Sequence, residues 1–142
     1  MAIPHPDYDS PWKEMLRNYL QDAIAFFFPV TATLINWRKP WEFLDKEFQQ
    51  IAPEAETGKR YADQLVKVWL HTGESAWILL HIEIQASYDR RFAERMFVYH
   101  LRIFDLFGEH PLGLAILCVD QATWRPESYQ FQHPATELYF RF

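Results

Sequence analysis

The sequence holds a single cysteine, Cys118, in the apolar run LAILCVD. One thiol excludes an internal disulfide and a cysteine-based metal site, so the chain fits a reducing, cytoplasmic setting. We interpret Cys118 as a buried, inert thiol. No stretch approaches the roughly 20 consecutive apolar residues that a membrane span needs, and no basic segment followed by an apolar one opens the chain. We therefore expect no membrane partner.

The chain also lacks an excess of positive charge: 19 acidic residues outnumber 14 Lys and Arg, for a net charge of -5. Nucleic-acid binders often show a basic patch over a whole domain, so here a polyanion would have to be met by local Lys and Arg together with a metal ion. No repeat or linker interrupts the sequence, and we expect one domain over residues 1–142. Because the sequence stops within the apolar run 139–142, we expect the natural protein to continue.

What the sequence does contain is a pair of strand-like runs around a polar turn, between residues 63 and 85. The even positions 78–84 of the second run are all Ile or Leu, whereas the odd positions become polar at His81, Glu83 and Gln85. Such alternation is typical of a strand with one face in the core. We predict an antiparallel hairpin whose second strand is polar on one face towards its end.

A turn centred on Gly73 would fix which residues lie opposite each other in this hairpin. It pairs Trp69 with Trp77, Leu65 with His81, and Asp63 with Glu83. Directly opposed side chains have Cβ atoms roughly 4.5–5.5 Å apart, where two like charges are destabilising. Two ionised acids there require a proton, a cation or solvent between them, and a divalent metal ion resolves the conflict.

Helical patterns precede the hairpin. A helix is predicted that starts with Ser10 as N-cap and Pro11 at its first position and runs to the break at Pro29. Its apolar stripe, at spacings of 3 and 4, is Trp12, Met15, Leu16, Tyr19, Leu20 and Ala23. Residues 30–40 lack a clean period and predict a connecting loop. A second helix is predicted over 41–51, with Phe43, Leu44, Phe48 and Ile51 as its buried stripe.

A longer helix is predicted after the hairpin, from an N-cap at Asp89 to a stop at Gly108, with its apolar stripe on Phe92, Met96, Tyr99, Ile103 and Leu106. The apolar run 112–119 then reads as a strand covered on both faces, as parallel strands reached through a helical crossover usually are. Two aromatic-rich extended pieces, 129–131 and 138–142, follow it. The predicted class is α/β, with a mixed central sheet flanked by helices.

This order, together with five segments of the sequence, resembles the PD-(D/E)XK nuclease superfamily, and within it the Rpn group of recombination-promoting nucleases and putative transposases. The segments are DSPWK at 9–13, FLDKEFQQ at 43–50, YADQLVKVW at 61–69, LLHIEIQAS at 79–87 and FAERMFVYHLRIFD at 92–105. The resemblance implies a restriction-endonuclease-like core of helix, antiparallel hairpin, crossover helix and parallel strand.

The resemblance also implies a metal-dependent DNA endonuclease associated with recombination or transposition. Asp63 would be the motif acid and Glu83 the acid of the E-x-K element, and both would ligate Mg²⁺ or Mn²⁺. Gln85 stands where the lysine is usual, as a third catalytic residue. A neutral amide can hydrogen-bond the attacking water but supplies no positive charge and no base, so we expect more of the activation to come from the metal, or weak activity.

Other polar residues have two readings each. Near the hairpin, Asp9, Glu47 and His81 are candidates to assist the site, and structural roles are the alternative. Elsewhere, the positively charged side chains are read as a solvated face or as phosphate contacts; they are Lys67, Arg90, Arg91, Arg95 and Arg102.

Two functions stay open at this point. One is the Mg²⁺-dependent endonuclease with DNA as partner; since cutting both DNA strands requires two sites, it is compatible with a homodimer. The other is a catalytically silent relative, either a mobile-element remnant or a binding and assembly module that keeps the nuclease fold.

Overall fold

A computed structural model describes residues 9–51, 61–86, 90–119 and 123–142, with side chains described for 14–51, 63–82, 90–117 and 123–142. Four helices lie in this part of the chain: α1 Asp9–Phe27, α2 Pro29–Leu34, α3 Asp45–Ile51 and α4 Phe92–Phe107. The strands are β1 Glu42–Phe43, β2 Tyr61–Trp69, β3 Ser75–Ala86, β4 Leu112–Val119, β5 Ser128–His133 and β6 Thr136–Arg141.

The central sheet is mixed, with its strands in the order β1, β2, β3, β4. β2 runs antiparallel to both β1 and β3, while β3 and β4 are parallel and are joined through α4. The predicted α/β class and the crossover between parallel strands are therefore confirmed. A separate antiparallel pair, β5 and β6, follows at the end of the chain.

Helices cover both faces of this sheet, because each face carries buried apolar side chains. Even-numbered residues of β2 and β3 pack with α1; the buried members include Leu16, Leu20, Ile24, Val66, Val68, Ile78, Leu80 and Ile82. Odd-numbered residues pack with α3 and α4; the buried members are Leu44, Phe48, Ile51, Leu65, Leu79, Tyr99 and Ile103. The even face was predicted as core. The odd face is also covered by helices, and its apolar packing ends at the buried polar residues Asp63 and His81.

The region before the hairpin differs from the sequence prediction in two places. Residues 29–34 form α2 instead of a loop, because Pro29 has the fixed φ suited to the first position of a new helix. The second helix begins only at Asp45, since Glu42 and Phe43 pair with Lys67 and Val66 as β1. α1 begins at Asp9, and the side chains of the predicted cap lie outside the described ones.

The apolar stripes were predicted well, with one clear error in each long helix. In α4, Phe92, Met96, Tyr99 and Ile103 are buried, but Leu106 is 54 % exposed. In α1, Tyr19 is 58 % exposed, since the backbone departs from helical geometry at that residue. Gly108 ends α4 where a stop was predicted, in the left-handed conformation at φ 70°. The predicted N-cap at Asp89 is wrong, because the helix begins at Phe92 with Arg91 as its N-cap.

The register of the hairpin is shifted from the prediction. Leu70 N–H donates to the Glu74 carbonyl at 2.8 Å, so the loop is residues 71–73, and Gly73 with φ 96° is its last residue, not its centre. A left-handed glycine closing a three-residue loop is a common hairpin geometry. The pairing is therefore Trp69 with Ser75, Leu65 with Leu79, Asp63 with His81 and Tyr61 with Glu83.

β3 carries one extra residue near its end. Ile84 pairs with Cys118 on β4 and Ala86 pairs with Val119, which leaves Gln85 as the additional residue of a bulge. Bulges interrupt the alternation of a strand and are frequent beside active sites. The alternation of β3 is interrupted at Gln85, whose side chain lies outside the described ones, so its sharing a face with Glu83 stays a prediction.

Aromatic rings join the β5–β6 hairpin to α4. Phe97 lies 5.1 Å from Tyr129 and 5.4 Å from Phe140, measured between ring centroids. Phe142 packs on Phe92 at 5.6 Å. The described residues include no helix long and apolar enough to cross a membrane.

Candidate functional site

The most deeply buried charged group with a defined partner is Asp63, which lies in β2 directly opposite His81 of β3. Asp63 is 6 % exposed and His81 is 1 % exposed, and Oδ1 of Asp63 is in short contact with Nδ1 of His81. An ionised carboxylate carries no hydrogen, so the imidazole N–H donates. The pair satisfies a carboxylate that would otherwise be costly to bury.

The second carboxylate oxygen of Asp63 makes no such contact with the described side chains. Within the described residues, no hydrogen bond or ion pair involves Oδ2. Its partner, in contrast, is held by packing, because the His81 ring lies 5.3 Å from the ring of Phe92 at the start of α4. The site is thus a fixed imidazole holding one oxygen of a carboxylate whose other oxygen is available.

Glu83 and Gln85 continue β3 beyond His81, and their side chains lie outside the described ones. The backbone places position 83 two residues from His81, on the face that Asp63 also occupies. Residues in such diagonal positions are roughly 7–8 Å apart, and their Cβ atoms are somewhat closer. The predicted direct opposition of Asp63 and Glu83 is wrong, but a shift of the partners by two residues keeps both acids on one face.

The other predicted candidates divide clearly. Glu47 does not join Asp63 and His81, since no three His, Cys, Asp or Glu side chains of the described set come together. Arg102 donates a 2.9 Å hydrogen bond to the carbonyl of Ile51, at the end of α3, which identifies a structural role. Lys67 lies four residues along β2 from Asp63 and places Nζ over the ring of Trp69 at 5.1 Å.

The arginines near the start of α4 keep both readings. Arg90 and Arg91 are exposed, whereas the guanidinium of Arg95 lies 5.7 Å from the ring centroid of Phe92. Asp9 is the first residue of α1, and its side chain is outside the described ones. The same holds for Cys118, so the predicted burial of its thiol stays a prediction.

A second contact between titratable groups lies at the far end of α4. Nε2 of His100 is 3.0 Å from Nδ1 of His110, and the ring centroids are 5.2 Å apart. The nitrogens are closer to each other than the ring centroids are by about the width of one ring, so each of the two nitrogens lies on the side of its ring that faces the other ring. Burial lowers the pKa of His100, the positive charge of His110 lowers it further, and the carbonyl of Pro111 opposes both.

These rings are also placed by aromatic neighbours. His110 stacks on Phe104 at 4.1 Å, and His100 meets the edge of Phe140 at 4.9 Å. Neither histidine was singled out from the sequence, because ten residues and a helix end separate them. This pair contains no acid and lies apart from Asp63, so it is not part of the candidate site.

A groove of about 400 Å³ runs along the outer side of β4, between Phe27, Phe28 and Phe142. Residues 113–117 of β4 line it, and Arg125 and Glu127 are its charged lining residues. Asp63 and His81 do not line this groove. The candidate site is therefore a polar position between two strands, and the groove is a separate feature.

The contact between Asp63 and His81 is what sequence reasoning missed. The signal was the glycine itself: a left-handed Gly73 at the third loop position, and not at the turn centre, sets this register. No family model, curated protein or solved structure matches the chain. The resemblance to nucleases accordingly stays a prediction from the sequence segments.

Proposed function

We propose that the protein is a metal-dependent DNA endonuclease of the PD-(D/E)XK type, with Asp63 and Glu83 as its metal ligands. The observation that carries the proposal is the shared face: a buried aspartate with one oxygen uncommitted, and a glutamate two residues beyond its cross-strand partner. An acid pair at one point of a sheet is the arrangement that a hard cation requires.

The order of elements supports the same proposal. A helix, an antiparallel hairpin, a crossover helix and a strand parallel to the second hairpin strand follow each other along the chain. The same order is expected from the sequence resemblance, and this agreement supports the proposal. The additional strand β1 and the short α3 cover the hairpin on the side away from β4 and on its odd face.

The donors fit Mg²⁺ or Mn²⁺. Both ions take oxygen ligands, and Mg²⁺ is usually held by one or two carboxylates with waters and substrate phosphate. Asp63 offers Oδ2, Glu83 offers a second carboxylate by sequence, and the backbone carbonyl of Ile84 is a further candidate. The ion would supply Lewis-acid polarisation of the phosphodiester.

The chain's own residues would do the rest. Asp63 and Glu83 would hold the cation that offsets the charge of the scissile phosphate, and Gln85 would hydrogen-bond the attacking water through its amide. Because Gln85 cannot carry positive charge, it would position the water without activating it. Arg90 and Arg91, exposed at the start of α4, would contact neighbouring phosphates.

A second candidate is a DNA-binding relative that no longer cuts. Gln85 favours it, since this residue both replaces the usual lysine and lies in the bulge of β3. A change in the backbone at this position would misplace the amide relative to the two acids. Such a protein would keep the fold and the phosphate contacts while losing hydrolysis.

Plasmid nicking separates the two candidates. Supercoiled plasmid is incubated with the wild type, Asp63→Asn, Glu83→Gln and the control Glu74→Gln, an exposed acid of the hairpin turn. We expect nicking only with Mg²⁺ or Mn²⁺, lost by about 100-fold in the two site variants and unchanged in the control.

Retention of plasmid in a gel shift without any nicking would support the silent relative instead. Both candidates would be contradicted by a protein that does not nick the plasmid, does not bind Mn²⁺ in calorimetry and does not retain the plasmid in the gel.

A further inference from the structure

Either carboxylate oxygen of Asp63 could bind a ligand, but in the structure one of them already contacts a neighbouring side chain. Rotation of a carboxylate exchanges its oxygens freely unless one is held. Here Oδ1 contacts Nδ1 of His81, while Oδ2 has no hydrogen bond within the described residues. The carboxylate is therefore fixed by its cross-strand neighbour.

The imidazole that does this is itself immobile. His81 lies in the interior of the sheet, with Asp63 opposite it on β2 and Ala115 beside it on β4. Phe92 packs on its ring at 5.3 Å, and both side chains are at most 1 % exposed. A ring enclosed in this way has one orientation, so the hydrogen bond has one direction.

The direction of this hydrogen bond determines which carboxylate oxygen of Asp63 is open to a ligand. Carboxylates that bind metal ions are themselves commonly hydrogen-bonded, and those supporting contacts fix the ligand's orientation. With Oδ1 engaged, Oδ2 is the oxygen left for a cation shared with position 83. The nitrogen Nδ1 is also consumed, so it does not become a ligand.

We propose that His81 is a positioning residue for the metal site: it holds Asp63 so that Oδ2 alone is presented, and it keeps Nδ1 out of the coordination shell. This inference rests on the proposed function. It predicts a site made of oxygen donors, the ligand type that Mg²⁺ uses, without the nitrogen and sulfur ligands typical of Zn²⁺ sites.

Two isosteric amides test the role without making the position apolar. The amide nitrogen of His81→Asn lies close to where Nδ1 is, whereas that of His81→Gln lies close to where Nε2 is. Mn²⁺ binding is measured by calorimetry on the full chain, with Asp63→Asn as the negative reference and the exposed turn residue His71→Asn as the control.

We expect His81→Gln to weaken Mn²⁺ binding by about 10- to 100-fold, the range typical for a supporting contact, and His81→Asn to restore most of it. The control His71→Asn should bind as the wild type does.

Thermal melting of each variant identifies any that is unfolded, and the Asn and Gln variants are then compared at equal folded fraction. Equal Mn²⁺ affinity in these two variants, with Asp63→Asn abolishing binding, would overturn the role of His81 and leave the metal site standing. Binding that survives Asp63→Asn and Glu83→Gln would instead contradict the proposed function itself.

Discussion

Two histidine contacts in this molecule differ in every physical respect except that each joins two side chains. His81 meets a carboxylate between two strands, with both partners nearly inaccessible. His100 meets another imidazole at the end of α4, in a part-exposed position. The first contact satisfies an enclosed carboxylate that would be costly to bury without a partner, whereas the second joins a half-buried ring to an exposed one.

The difference between the two contacts indicates that the buried pair is the better candidate for a functional site. A polar pair that the core has to accommodate constrains its surroundings, and it stays in one geometry. A pair at the surface responds to pH and neighbouring charge and constrains little. The comparison predicts three sets of measurements in which the two contacts should behave differently.

The largest difference should come from the aromatic rings that support the histidines. Phe92 is fully buried against His81, and Phe104 is 44 % exposed against His110. We expect Phe92→Ala to lower the free energy of unfolding by about 3–5 kcal/mol, as large core deletions do, and Phe104→Ala by about 1 kcal/mol. Urea denaturation measures both, and equal losses would show that burial does not distinguish the two contacts.

A double-mutant cycle should give the next largest effect. Either Asp63→Leu or His81→Leu leaves one buried polar group without its partner, and we expect each to cost about 3 kcal/mol. Replacing both by leucine removes the unpaired group, so the double variant should be less destabilised than the two single changes added together. Additive losses would mean that the two side chains do not stabilise each other.

The smallest effect concerns pH and the surface pair. Because the folded state lowers the pKa of His100, the unfolded chain binds more protons below the ordinary value of 6.5. The contribution of His100 to stability is therefore fully present above pH 6.5, and it is lost as the pH falls from 6.5 through the lowered pKa that His100 has in the folded state.

His110→Gln removes the neighbouring positive charge, so the loss of stability on acidification should be smaller in this variant than in the wild type. Urea denaturation across this pH range measures the two slopes. A slope as steep in the variant would show that His110 does not act on His100.

Much of the fold followed from periodicity, because a buried stripe leaves a repeating signature in the sequence. Burial at Ile78, Leu80 and Ile82 of β3 was predicted residue by residue, and so was the stripe of α4 apart from Leu106. Local chemistry overrode the pattern at Pro29, which starts α2 where a loop was expected. Pairing across strands depends on the backbone conformation of one loop residue, Gly73, and composition does not encode it.

The candidate site was predictable in identity more than in arrangement. Asp63 and Glu83 were recognised as acids on one face, and that relation survives a register shift of two residues. Their direct opposition did not survive, since the turn centre lies one residue earlier than Gly73. The role of His81 could be seen only once the register placed it opposite Asp63.

The extra residue in β3 has a consequence for how motifs are counted. The bulge shifts the pairing of β3 with β4 by one residue. Before Gln85 each residue of β3 pairs with the residue 34 positions later on β4, and Ala86 pairs with the residue 33 positions later. Ala86 thus occupies the rung that an unbroken strand would give to residue 85. A spacing of two in the sequence, from Glu83 to Gln85, is consequently not a spacing of two along the ladder.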